Sequence, residues 1–313
     1  MSRTVIAFLL LAALFVAGAL VWMLTRPGAE PALDQAARLD SPYWTGDDRL
    51  VDVDGVMARV RSEGPADAPV IVMVHGFSYS LESWDAWAED LGADYRVIRL
   101  DLPGHGLTGP DPQQRYSVPQ TVDFLGSLLD ELGLDHVTLA GNSLGGLVSW
   151  RLAAERPDLV SRLVLVAPGA YSINGVTEEP VAVPMAVSFY LTSAPEAMVA
   201  AASAGLFGDV SRMDPALPAR VHALMNTPGV GQALVERLEV FTLPDPTADL
   251  ARVQAPALVM WGGRDVMIPV AQASRIAGDL PQAELIIYDD LGHILHEEDP
   301  ARTVADVRAF LAQ

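Results

Sequence analysis

Ser143 stands in Gly141-Asn142-Ser143-Leu144-Gly145-Gly146, between a short β-rich run, 137–140, and a helical stretch over about 144–155. A serine hydroxyl is a weak nucleophile until a base takes its proton, and that base needs an acid to orient it. Small flanking residues let strand and helix approach closely and hold the serine in a strained turn, with Oγ above the sheet. The same turn puts the Leu144 N–H at a helix N-terminus, where it can bind an oxyanion. The expected base is His293, in Asp289-Asp290-Leu291-Gly292-His293, and the expected acid is Asp265, in Trp261-Gly262-Gly263-Arg264-Asp265. Each of the three comes just after a predicted strand, so a parallel sheet brings them to one edge. Asp289 and Asp290 read as turn or cap residues rather than as the acid. His75-Gly76-Phe77 follows another strand, and the Phe77 N–H is the expected second oxyanion donor, with Gly76 permitting close approach. His75, and Asp101 and His105 in the turn 101–106, read as shapers of their loops.

The elements that must hold these residues follow an α/β pattern. Strands are expected at 50–53 and 56–61, flanking the hairpin signal Asp54-Gly55, then at 70–74, 96–100, 137–140, 162–166, 257–261 and 285–288. Helices are expected after a Ser83 cap, with Trp84, Trp87 and Leu91 on one face, and at 118–132, 144–155, from Val270, and at 303–312. The stretch 170–249 breaks the alternation: it is rich in Ala, Met and Val, interrupted by Pro184, Pro195, Pro215, Pro218 and Pro228. It is too long for a loop and reads as a helical lid over the edge where open α/β sheets place ligands. Core segments 49–169 and 250–313 flank it.

Composition narrows the rest. The formal net charge is −20 with no lysine, which argues against a nucleic-acid partner in the absence of a basic patch. There is no cysteine, so thiol catalysis, disulfides and Cys-type metal sites are excluded. The six histidines are scattered and make no convincing metal site, and no cofactor is expected. Residues 5–24 are unbroken apolar or small, the length of a bilayer-crossing helix. Trp22 and Arg26 lie where interfacial anchors belong, and the apolar run continues past the possible cleavage site Ala17-Gly18-Ala19. The expectation is an N-terminal signal-anchor over 1–26, a tether over 27–48, and a catalytic domain on the non-cytoplasmic side of a membrane; a cleaved, secreted form is the alternative.

Taken together, His75-Gly76-Phe77, the 101–106 turn, 141–146, 262–265 and Gly292-His293 resemble the α/β-hydrolase superfamily in identity, order and spacing, over about 50–313. The resemblance implies an eight-stranded, mostly parallel sheet, a lid domain, a Ser–Asp–His triad and no cofactor. Serine rather than aspartate at position 143 speaks against the epoxide-hydrolase and haloalkane-dehalogenase branches. The expected reaction is hydrolysis of small-molecule esters with apolar acyl or aryl groups, Met185, Phe189, Met198 and Phe207 being candidate pocket residues. The competing reading is a carbon–carbon bond hydrolase of the meta-cleavage type, which needs a cation in the pocket; Arg212 and Arg220 are candidates, while Arg264 reads as a support for the acid's loop. A third reading, a non-catalytic membrane-tethered binding protein, fits poorly with all three triad positions being filled. The oligomeric state is not encoded in any feature of the sequence.

Overall fold

The computed structural model describes residues 33–313. The apolar run 5–24, expected as a membrane anchor, lies outside the described residues, among which no helix is long and apolar enough to cross a membrane.

In chain order the first half comprises α1 (Gln35–Leu39), β1 (Asp48–Val53), β2 (Val56–Glu63), β3 (Val70–Val74), α2 (Asp85–Leu91), β4 (Arg96–Leu100), α3 (Val118–Glu131), β5 (Val137–Asn142), α4 (Leu144–Glu155) and β6 (Val160–Val166). Then come α5 (Met185–Ser193), α6 (Glu196–Ala204), α7 (Leu217–Met225), α8 (Val230–Glu239), α9 (Thr247–Leu250), β7 (Ala257–Gly262), α10 (Ala271–Asp279), β8 (Ala283–Tyr288), α11 (Leu295–Glu298) and α12 (Pro300–Leu311). The eight strands form one sheet in the order β1-β2-β4-β3-β5-β6-β7-β8. The β1–β2 and β2–β4 pairs are antiparallel and all the others parallel. Asp54 and Gly55 both take positive φ, 49° and 86°, as a tight hairpin turn requires.

Successive residues of a strand face opposite sides, and here both sides are covered. Val72 and Val74 join a core with α3, α4 and α10, whereas Ile71 and Met73 join a second core with α2 and α12. That double burial explains the unbroken apolar content of β3 and β7. Ser117 caps α3 in a reciprocal capping box with Gln120.

Two local expectations differ from the structure. Ser83 does not cap α2: it lies inside a 3-10 turn, Leu81–Trp84, with its hydroxyl beside the His296 ring at 3.5 Å. The prolines of the 170–249 insertion also start helices more than they interrupt them. Pro184 and Pro195 are the N-cap residues of α5 and α6, and Pro218 sits in the first turn of α7, where its missing N–H leaves no bond unmade. The insertion has its own core, in which Leu191, Val199, Leu217, Val221 and Leu234 pack with Tyr79 and Ile294.

His296 is buried and stacked on Trp84, with ring centroids 4.2 Å apart. Burial, reinforced by the charges of His293 and Arg220, pushes its pKa down to about 3. Native His296 is therefore neutral, while the unfolded chain takes up a proton there below about pH 6.5. Its contribution is full above that pH and is lost as pH falls toward 3; the whole shift is worth on the order of 5 kcal/mol. Melting temperature should drop as pH is lowered from 6.5 to 4, and His296→Gln should flatten that slope. The flattening is partial, because burial also holds His75 and His105 below their ordinary values. An unchanged slope would remove His296 from this account.

Candidate active site

The site is built where parallel strands end together. Val74 pairs with Gly141, Asn142 with Val166 and Gly262 with Tyr288, so the chain leaves β3, β5, β7 and β8 at one edge of the sheet. Ser143 follows β5 directly, with φ 52° and ψ −112°, a conformation a non-glycine residue takes only under constraint. Its N–H donates to the Val166 carbonyl at 3.1 Å, and its carbonyl accepts from Leu147 and Gly169 at 3.0 and 2.9 Å. The flanking glycines allow the close approach this needs. A Cβ on Gly145 would strike the Val74 and His75 carbonyls, and one on Gly146 would lie 2.7 Å from Pro168 Cβ.

His293 and Asp265 meet across the ends of β7 and β8. The His293 Nδ1 to Asp265 Oδ2 distance is 2.8 Å, and Oδ1 of the same carboxylate accepts from the Met267 and Ile268 N–H groups at 2.8 and 2.9 Å. Both side chains are buried. With the carboxylate able only to accept, Nδ1 donates and Nε2 is left as the acceptor. Ser143 and His293 line the same cavity, together with Phe77. The N–H groups of Phe77 and Leu144 have no protein acceptor among the described residues; Leu144 opens α4, where the first N–H groups have no partner within the helix.

His75 has the role expected of it. Its Nδ1 lies 2.7 Å from the Gly76 carbonyl, and its Nε2 accepts from the Leu102 N–H at 3.0 Å, which fixes the loop that carries Phe77. Asp101 is likewise a structural hub, accepting from the Leu81 and Leu107 N–H groups and from the buried Arg59. Asp290 stands in a turn, as expected, and is not the acid; its carboxylate pairs with Arg212 and Arg302.

Two supporting residues act through main-chain partners that no sequence feature marks. Asn142 Nδ2 donates to the Val166 carbonyl at 3.0 Å and the His293 carbonyl at 3.3 Å, joining the serine turn to the histidine loop. Glu298, 4% exposed, accepts from Gly208 and Gly292 through Oε2 and from Asp209 through Oε1, at 2.7–2.9 Å. It thereby clamps the residue before His293 to the insertion, an attachment completed by the His293 N–H donating to the Leu206 carbonyl at 2.7 Å. Glu298→Ala leaves three backbone N–H groups without that acceptor. It should reduce stability by about 2–5 kcal/mol and kcat by up to about 10²-fold through misplacement of the ring. Denaturant unfolding and turnover measured side by side check this, and no change in either would contradict it.

The cavity measures about 330 Å³ and is walled mainly by Phe77, Tyr79, Tyr190, Leu191, Leu206, Val221 and small residues of α6. No arginine, aspartate or glutamate lines it. Of the candidate cations, Arg212 pairs with Asp290 and Arg220 with Glu297; Arg264, read as a support for the acid's loop, donates to the Gly208 carbonyl. The candidate pocket residues are also displaced from expectation. Met185, Phe189 and Met198 are exposed and Phe207 is buried in the insertion's core. The face that α5 turns to the cavity is instead Val187, Tyr190 and Leu191, at helical spacing.

The fold agrees with comparisons against known proteins. An uncharacterised protein of Mycobacterium tuberculosis is 30% identical over 284 residues, covering 81% of this chain and 77% of that protein. Two solved structures share the fold. An enol-lactonase from Burkholderia xenovorans has a TM-score of 0.73 at 23% identity, covering 85% of this chain and 100% of that one. A 2-hydroxy-6-oxo-6-phenylhexa-2,4-dienoate hydrolase from a Rhodococcus strain has a TM-score of 0.75 at 20% identity, covering 85% and 98%. A family model described as alpha/beta hydrolase fold matches residues 69–300. The sheet order, the serine turn and this match together show that the chain belongs to the α/β-hydrolase family.

Proposed function

We propose that this chain is a serine hydrolase that cleaves carboxylic esters of uncharged, apolar acyl or aryl substrates. The reading is carried by the 2.8 Å Asp265–His293 pair opening on the same cavity as Ser143. In this mechanism His293 Nε2 takes the Ser143 proton as Oγ attacks the ester carbonyl. Asp265 holds the ring in the tautomer that allows this and stabilises the imidazolium. The Phe77 and Leu144 N–H groups receive the oxyanion, and donors fixed in advance act on that charge without reorganising. Protonated His293 then gives its proton to the leaving alcohol. Water activated by the same nitrogen releases the acid from the acyl-enzyme.

Substrate class follows from the wall of the cavity. With no arginine facing Ser143, a carboxylate-bearing dienone would enter without a charge partner, and desolvating an unpaired carboxylate is strongly unfavourable. Carbon–carbon cleavage of such anions is the weaker reading. Residues 170–249 act as the lid in this scheme, and residues 1–26 as a signal-anchor that holds the domain on the non-cytoplasmic side of a membrane. The test is a panel of p-nitrophenyl esters of increasing acyl length, run with a 2-hydroxy-6-oxo-dienoate on the full chain in detergent. Ester turnover with little or no dienoate turnover is expected; the reverse would replace this reading with the carbon–carbon one.

A further inference from the structure

An apolar face surrounds the mouth of the cavity. Between Pro180 and Phe207 the chain carries one charged residue, Glu196, where a chain with 19% charged residues would place about five. Met185 is 54% exposed, Phe189 44% and Met198 42%, and on the loop after β7 Val266 is 74% exposed and Met267 46%. Such side chains are ordinarily scattered singly over a surface. Here they are contiguous through the cavity's rim, since Val187, Val266 and Met267 both face outward and line it. Met185 and Phe189 lie one turn apart on α5, to either side of Val187. Met198 lies one turn before the cavity-lining Ala201 and Ala202 on α6.

The occupant of this face is indicated by charge and by chain length. No lysine or arginine lies between 180 and 207, and Glu178, Glu179 and Glu196 border or interrupt the stretch. Anionic surfaces would be repelled, by the face and by a chain of net charge −20. The described chain begins at Leu33, buried against Leu107 and against Leu224 of α7, the helix whose Val221 lines the cavity. The residues between the apolar run 5–24 and Leu33 can span no more than roughly 30 Å when fully extended.

We propose that this face docks on the surface of an electrically neutral lipid bilayer and that uncharged ester lipids enter the cavity across its apolar rim. The docking stands apart from the hydrolase reading; the entry of substrate rests on it. The native chain has no cysteine, so single labels are unambiguous. Full-length Val266→Cys and Phe189→Cys are labelled with an environment-sensitive fluorophore and reconstituted into phosphatidylcholine vesicles containing nitroxide lipid. Asp158→Cys serves as control, its side chain 79% exposed just before β6, at the opposite edge of the sheet. Quenching at least about threefold stronger at 189 and 266 than at 158 is expected. Equal quenching at the three positions would overturn the docking. So would a fluorescence change that follows protein concentration rather than lipid, which would mean that a second copy covers the face.

Met185→Ser combined with Phe189→Ser alters the face without touching the cavity wall. It should leave hydrolysis of aqueous p-nitrophenyl butyrate unchanged and lower that of a vesicle-embedded ester by tenfold or more. Equal rates on both substrates would overturn lipid entry. A chain that docks but hydrolyses neither ester would sink the hydrolase reading and leave the docking intact.

Discussion

Ser143→Ala should abolish ester turnover, by roughly 10⁵–10⁶-fold in kcat, with the fold intact. The size follows from losing the only atom that forms the acyl-enzyme, after which the histidine, the acid and the oxyanion donors have no bond to make. The fold should survive because the turn is held by backbone groups: Ser143 N–H to Val166, and its carbonyl to Leu147 and Gly169. Alanine inherits the positive φ of 52° and its strain. Ser143→Gly should therefore be as inactive as the alanine variant yet about 1 kcal/mol more stable than it, an amount set by the relief of a left-handed non-glycine residue. Turnover and thermal melting of the two variants check both halves, and near wild-type activity in either would reject Ser143 as nucleophile.

Asp265→Asn should lower kcat by roughly 10⁴-fold, the scale found for the corresponding change in another Ser–His–Asp enzyme. The Asn Oδ1 can still accept from the Met267 and Ile268 N–H groups, so the loop keeps its hydrogen bonds. The new amide then presents N–H rather than oxygen to His293 Nδ1, across the 2.8 Å contact now made by Oδ2. The ring responds by accepting at Nδ1 and carrying its proton on Nε2, the atom that must take the serine proton. Asp265→Ala is a poorer probe, since it leaves two backbone donors unpaired and mixes stability with catalysis. Single-turnover acylation rates compare the variants, and a loss below tenfold would mean that the acid's orientation of His293 is not limiting.

The parallel part of the sheet could be read from the sequence because strands buried on both faces are apolar at most positions, β3 and β7 without a break. β3 and β4 are found over the expected residues, 70–74 and 96–100. β8 begins at Ala283, two residues before expectation, because the exposed Glu284 of this edge strand stops the apolar run at Leu285. Ser143, Asp265 and His293 could be anticipated from their positions after strands, and the register of β5, β7 and β8 brings those strand ends to one edge. The roles of Glu298 and Asn142 could not: each acts on backbone groups distant in sequence, and although Asn142 stands within the 141–146 motif, the motif does not show that its partners are main-chain atoms. The inward face of α5 was equally hidden. That helix is apolar nearly all round, so composition does not separate Val187 and Leu191, which face the cavity, from Met185 and Phe189, which face out.

Fluorophosphonate modification of the folded chain, mapped by peptide mass spectrometry, tests the assignment of the nucleophile most directly. One phosphonyl adduct per chain is expected, on the peptide that contains Ser143. Ser143→Ala should abolish labelling, and Asp265→Asn should slow it by orders of magnitude. A folded chain that resists the reagent, or that carries the adduct on any other residue, would contradict the assignment.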